Sequence, residues 1–211
     1  LLKGRYEREE ADLILRHLPG NLPVIELGGS IGVISALIRS RLSAGTPHAV
    51  VEANPSLISI CKENATQGVT SGTTVISAAV GYGGETLRFA IGDNIHANHL
   101  AGATDRSARV IDVPAITLAR LLEQFTADRP YSLICDIEGA ELDLIRHEPA
   151  ELGRASVVIM ELHPKAYPGG TSDDDSITAT MAALGFDLAE RINDVCLWLR
   201  RGSANHQTAT N

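Results

Sequence analysis

Pro23-Val24-Ile25-Glu26-Leu27-Gly28-Gly29-Ser30-Ile31-Gly32 is the stretch that decides the fold of this 211-residue chain. Its apolar run has the length of a buried strand, and the glycines after it permit a tight turn. Beyond the turn, Ile31, Ile34, Leu37, Ile38 and Leu42 recur at helical spacing. The stretch therefore predicts a strand, a turn and a helix. Glycines there let the backbone approach a ligand, and the helix N-terminus offers unpaired N–H groups to an anion. A dinucleotide fingerprint would want glycine where Ser30 and Val33 stand.

Upstream, residues 1–20 form a leading segment whose helix carries Ala11, Ile14, Leu15 and Leu18 on one face and stops at Pro19-Gly20. Downstream, strands at Ala49–Glu52, Thr74–Val80, Tyr131–Ile137 and Ala155–Leu162 alternate with helices. The helices open at Asn54-Pro55, at Leu118, at Ala140 and at Ser172, where Ser172 is read as the cap before three aspartates. Thr86–Ile91 adds a strand after the Gly83-Gly84 turn. Phe186–Ile192 and Val195–Leu199, joined at Asn193-Asp194, predict an antiparallel hairpin. The pattern is α/β: a mostly parallel seven-stranded sheet with helices on both faces and a C-terminal antiparallel hairpin. That is the Rossmann-like architecture of class I methyltransferases. Residues 1–201 read as a single domain. Residues 92–109 form a polar, aperiodic loop expected to be a mobile lid over substrate, and residues 202–211 a disordered tail.

A formal charge of −8 argues against a nucleic-acid partner. Cys61, Cys135 and Cys196 are odd in number and widely spaced, which excludes a disulfide framework or zinc ribbon and fits the cytoplasm. No run approaches the ~18 apolar residues of a spanning helix, so no membrane partner is expected. The start, Leu1-Leu2-Lys3-Gly4, has neither an initiator Met nor the pattern of a signal peptide, and a native leader could precede it. A homo-oligomer remains open.

Ligands of open α/β sheets bind beyond the carboxyl ends of the strands, where Gly28, Glu52 and Asp136 would gather. Glu52 closes the second strand, a position from which an acid can accept hydrogen bonds from both ribose hydroxyls of an adenosine. Cys135-Asp136-Ile137-Glu138-Gly139-Ala140-Glu141 and Glu161-Leu162-His163-Pro164 bring more polar groups to adjacent strand ends. By strand alternation Asp136 and Glu138 share one side, as do Glu161 and His163. Glu141 is expected to cap or charge the next helix. His96 and His99 read as solvated loop residues.

Asp-x-Glu-Gly-Ala-Glu followed by Glu-x-His resembles the FkbM-type methyltransferases. Val51-Glu52-Ala53-Asn54-Pro55, Ala78-Ala79-Val80-Gly81 and Val113-Pro114-Ala115-Ile116-Thr117-Leu118 agree, as does Gly4-Arg5-Tyr6-Glu7. The likeness spans roughly residues 4 to 200. Glu26 and Gly29-Ser30 depart from the Asp and Gly-Ala-Asn common in the family, and Leu118-Ala119 stands where the family tends to have Leu-Asp.

The resemblance implies S-adenosylmethionine as cofactor and a small-molecule or sugar hydroxyl as acceptor. Expected cofactor contacts are Glu26, Gly28, Gly29, Ser30, Gly32, Glu52, Ala53, Ala79 and Asp136. Methyl transfer from a sulfonium is an in-line displacement in which positioning supplies ~7–11 kcal/mol. A hydroxyl acceptor needs a base, and a neutral His163 near its ordinary pKa is the expected one. Glu138 or Asp136 would orient the ring or the substrate, and Glu161 would support the ring from behind. In a less favoured reading, Asp136, Glu161 and His163 hold a divalent metal such as Mg²⁺. A nicotinamide (NAD) oxidoreductase and a non-catalytic nucleoside-binding domain are the rival functions.

Overall fold

The computed structural model describes residues 7–66, 72–91, 99–100 and 109–202. In chain order the elements begin with α1 (Arg8–His17), β1 (Val24–Leu27), α2 (Val33–Arg41), β2 (His48–Glu52), α3 (Ile58–Thr66) and β3 (Thr73–Ser77). Next come β4 (Ala79–Val80), β5 (Thr86–Ile91), β6 (His99–Leu100), β7 (Arg109–Ile116), α4 (Leu118–Phe125) and β8 (Tyr131–Cys135). The series ends with α5 (Glu141–His147), α6 (Pro149–Leu152), β9 (Ala155–Glu161), α7 (Thr171–Ala183), β10 (Phe186–Ile192) and β11 (Val195–Arg200).

The main sheet has seven strands in the order β10-β11-β9-β8-β1-β2-β3. Strands β9, β8, β1, β2 and β3 are parallel, and β11 and β10 are antiparallel to their neighbours. The chain winds outward from β1 in both directions, so the β1–β8 boundary is the switch point at which such sheets open a crevice. Alternation along the strands feeds two cores. Ile25, Leu27, Leu133, Cys135, Val158 and Met160 pack with Leu118, Leu121, Leu122, Leu144 and Met181 of α4, α5 and α7. Val24, Ile134, Val157 and Ile159 pack on the other face with Leu13, Ile14, Ile34 and Ile38 of α1 and α2. Helices thus cover both faces, as the apolar pattern requires.

Several local expectations are corrected. On α1, Ile14 is buried, as is Leu18 just after it, and Glu10 and Leu13 are buried too, while Leu15 faces solvent. The third strand breaks at Ala78: β3 stays in the main sheet, and β4 joins a second sheet ordered β4-β7-β5-β6. That sheet contains β7, whose partners are distant in sequence and whose Pro114 obscures the strand pattern. Asn54 Oδ1 accepts from the N–H of Ser56 at 3.0 Å, forming a turn, and the helix starts later at Ile58. Ser172 lies inside α7, whose N-cap is Gly170. Ile31 precedes α2. Most of the 92–109 stretch, His96, the side chain of His99, the 203–211 tail and Gly4-Arg5-Tyr6 lie outside the described residues. Within the stretch, His99–Leu100 forms a strand paired with Phe89 and Ala90.

Candidate active site

The Gly turn is shaped by the neighbouring strand end. Gly28 has a φ of 93°, and a Cβ there would lie 1.7 Å from the carbonyl oxygen of Asp136. No side chain fits, so β1 and β8 close backbone to backbone, which brings Asp136 beside the turn. At Gly29 a Cβ would meet Val50 Cγ1 at 2.4 Å. Gly32 is the N-cap of α2.

Glu52 is buried at the end of β2. Its Oε2 accepts from the Ser30 N–H at 2.7 Å and its Oε1 from the Asn54 N–H at 2.6 Å. Burial pushes its carboxyl above the usual range, and the backbone N–H groups of Asn54 and Ser30 pull the other way. Each oxygen keeps a second lone pair. A carboxylate fixed at the switch-point edge, with acceptor capacity left, fits the paired hydroxyls of a ribose.

Three expected cofactor contacts also have partners inside the protein. Glu26 is a core residue: Oε1 accepts from Ser35 Oγ at 2.7 Å, and Oε2 lies 2.7 Å from Nε2 of the fully buried His48. Its side chain is spent inside the protein. Ala79 is buried with Phe89 and Val113, and Ala53 packs against that cluster, so both anchor the second sheet.

The other polar group gathers around His163. Asp136, Glu138 and His163 each present one donor atom, all within 4.8 Å of one another. His163 Nε2 lies 3.6 Å from Asp136 Oδ1 and 3.5 Å from Glu138 Oε2. The route to this geometry is not strand alternation, because β8 ends at Cys135 and Glu138 sits in a turn with a φ of 51°. Glu161 ends β9 and lines the same cavity, but it is not part of the three-residue group. The residue behind the ring is Glu141. Its Oε1 lies 3.0 Å from His163 Nδ1 and accepts from the N–H groups of Ile137 and Gly139 at 3.2 Å. Its Oε2 accepts from Tyr167 Oη at 2.8 Å, and Tyr167 Oη in turn accepts from the His163 N–H at 3.0 Å. Glu141 was visible in the motif, but its spacing suggested a cap. Tyr167 gave no sequence signal at all.

Charge follows from this packing. Burial opposes a proton on His163, but the Glu141 hydrogen bond and the charges of Glu141, Asp136 and Glu138 push its pKa up to about 9. The packing thus favours the protonated ring over the neutral one. Burial pushes Asp136 up to about 6, opposed by His163 and aided by Glu138, Glu141 and Glu52. Asp136 Oδ1 is buried without a hydrogen-bond partner.

These groups open onto a cavity of about 530 Å³. Its described walls are Glu7, Glu9 and Glu10 at the start of α1, Asp136 and Glu138, Glu161 and His163, and Asn193, Asp194 and Val195 at the hairpin turn. The wall contributed by α1 was not anticipated. Glu9 Oε1 accepts from Asn193 Nδ2 at 3.2 Å, joining the two ends of the wall. Glu10 is 3% exposed, and burial together with the charge of Asp136 holds its carboxyl well above the usual range.

A family model described as the methyltransferase FkbM domain matches residues 27–188. None of the curated proteins compared with the chain matches it. Among solved structures, WbdD is 13% identical with a TM-score of 0.56, over 92% of this chain and 40% of that one. Ribosomal protein L11 methylase from Lactobacillus delbrueckii subsp. bulgaricus is 13% identical with a TM-score of 0.51, over 93% and 78%. A protein of the NADB-Rossmann superfamily from Streptococcus agalactiae is 9% identical with a TM-score of 0.53, over 91% and 68%. At these identities the likeness is one of fold.

Proposed function

The chain belongs to the FkbM methyltransferase domain family, and on that premise we propose that it transfers the methyl group of S-adenosylmethionine to a hydroxyl of a small molecule or sugar. The cofactor, when bound, supplies a methyl group on a positively charged sulfur. In this reading Glu52 takes the ribose hydroxyls, and the turn from Gly28 to Gly32 faces the methionine end with the N-terminus of α2. Asp136 stands between that site and the acidic cavity. The acceptor enters the cavity and turns its hydroxyl toward Asp136, Glu138 and His163.

Transfer forms an oxygen–carbon bond and breaks the carbon–sulfur bond, whose electron pair stays on sulfur. The hydroxyl proton must leave. The proton passes to a carboxylate of the cavity, and the positive centre at His163 Nε2 steadies the negative charge on the acceptor oxygen. The observation that carries the reading is the convergence of His163 and its carboxylates on a cavity at the carboxyl edge of the sheet.

Incubation with methyl-labelled S-adenosylmethionine and a panel of hydroxyl compounds and their amine analogues tests it. Label recovered as a methyl ether is the expected result. Label found only on nitrogen or carbon would overturn the assignment to oxygen.

A further inference from the structure

We infer that Asp136, Glu138 and His163 form a binding site for one divalent cation. The inference deepens the acceptor side of the site proposed above, and its test requires no methyl transfer. The gaps from His163 Nε2 to Asp136 Oδ1 and Glu138 Oε2, 3.6 and 3.5 Å, are too long for direct hydrogen bonds. They suit ligands of one ion, since two atoms each about 2.1 Å from a metal stand roughly 3.0–3.4 Å apart in octahedral or tetrahedral geometry.

The ring is set for ligation. Glu141 Oε1, 3.0 Å from Nδ1, takes that N–H and aims Nε2 at the two carboxylates. A metal-bound histidine almost always gives its other N–H to a carboxylate, carbonyl or water in this way. Glu141 is itself fixed by Ile137, Gly139 and Tyr167, so the ring cannot swing away without breaking a buried network. Nε2 faces two anionic oxygens and needs a positive centre between them, either its own proton or a cation.

Two independent features point the same way. Asp136 Oδ1 is a buried atom without a hydrogen-bond partner, 3.6 Å from His163 Nε2. Glu10, 3% exposed, lines the cavity and accepts no hydrogen bond among the described residues. A buried carboxyl left without a partner costs free energy that a nearby cation offsets. One imidazole and two carboxylates suit Mn²⁺, Zn²⁺ or Fe²⁺ better than Ca²⁺. Three protein ligands leave coordination positions open toward the cavity, where an acceptor oxygen can enter and lose its proton more readily.

The test is a titration of Mn²⁺ into the metal-stripped full chain, followed by electron paramagnetic resonance. One Mn²⁺ should bind per chain, and roughly 10–100-fold more weakly in Glu141→Gln. Glu138→Gln, at a partly exposed turn where folding is least threatened, and His163→Gln should each weaken binding by at least about tenfold. No saturable Mn²⁺ binding to the wild type would overturn the inference. So would wild-type affinity in both Glu138→Gln and His163→Gln, which would place the ion elsewhere. S-adenosylhomocysteine affinity, measured on the same samples, separates the two readings: a chain that binds the nucleoside but no Mn²⁺ loses only the metal site.

Discussion

Glu141 Oε1 stands 3.0 Å from His163 Nδ1, on a carboxylate completely shielded from solvent. This contact, more than any on the cavity side of the ring, holds the imidazole in its orientation. Replacing Glu141 by Gln keeps the shape and removes the charge. In the metal-free protein the His163 ring titrates near pH 9, and Glu141→Gln should move that midpoint down toward the ordinary histidine value. Imidazole NMR across a pH series reads the shift directly. An unmoved midpoint would show that Asp136 and Glu138 alone hold the ring proton. Stability should also fall by about 1–3 kcal/mol, because Tyr167 and the turn N–H groups lose their charged acceptor.

Glu52→Gln should weaken S-adenosylhomocysteine binding and leave the fold largely intact. Two hydrogen bonds to a charged group, each worth roughly 1.5–3 kcal/mol, become weaker neutral ones. Calorimetry should therefore show at least about a tenfold loss of affinity. Unchanged affinity would remove Glu52 from the ribose site and leave it only the turn-pinning role it has toward Ser30 and Asn54.

The metal-free fold should lose stability as pH rises. His163 has a raised folded pKa, so its contribution is complete below the unfolded value of about 6.5 and disappears as pH climbs through about 9. Asp136, raised to about 6, binds its proton more tightly folded than unfolded, so it also stabilises on the acid side and loses that effect as pH passes about 6. Glu10 and Glu161 are raised in the same direction by burial and by neighbouring carboxylates. Urea midpoints should fall between pH 5 and pH 9. A midpoint that rises over that range would contradict the cluster's electrostatics.

Glu148 answers the family departure at Leu118-Ala119. Its Oε2 accepts from the Leu118 N–H at 2.6 Å and from Tyr82 Oη at 2.5 Å, and its Oε1 accepts from the Ala119 N–H at 2.6 Å. The start of α4 is therefore capped by a residue 29 positions further along the chain. Glu148→Ala should destabilise the fold by about 1–3 kcal/mol and leave nucleoside affinity unchanged, as read by urea unfolding beside calorimetry. Unaltered stability would mean that water replaces the cap without loss.

The strands and helices of the main sheet were legible because each carries its own periodicity: β1 as an apolar run, α4 as a stripe with Thr117 at its cap. The hairpin was legible from Asn193-Asp194 between two apolar strands. Strand β7 was hidden, since pairing with β5 and β4 is a long-range relation that Pro114 further disguises. At the site, strand ends and motif spacing singled out Asp136, Glu138 and His163 as neighbours. The partner of Glu26, His48 on the adjacent strand, is revealed only by parallel pairing. Glu141 does charge the first turn of its helix, as its spacing suggests, but that spacing carries no sign that it also reaches across to a histidine. Glu9 and Glu10 of α1 carry no motif, and only the packing of α1 beside the hairpin brings them to the cavity.

The bond between Glu9 and Asn193 also fixes when, in the life of a chain, the cavity can exist. Translation delivers α1 before β1, β2 and β8, and the turn at Asn193-Asp194 after them. A ribosome-bound chain can pair its central strands yet has nothing to close the acidic wall. Contacts this distant in sequence form late because a long loop must first be closed. The emerging protein therefore completes the centre of its sheet before the cavity beside it has a far wall.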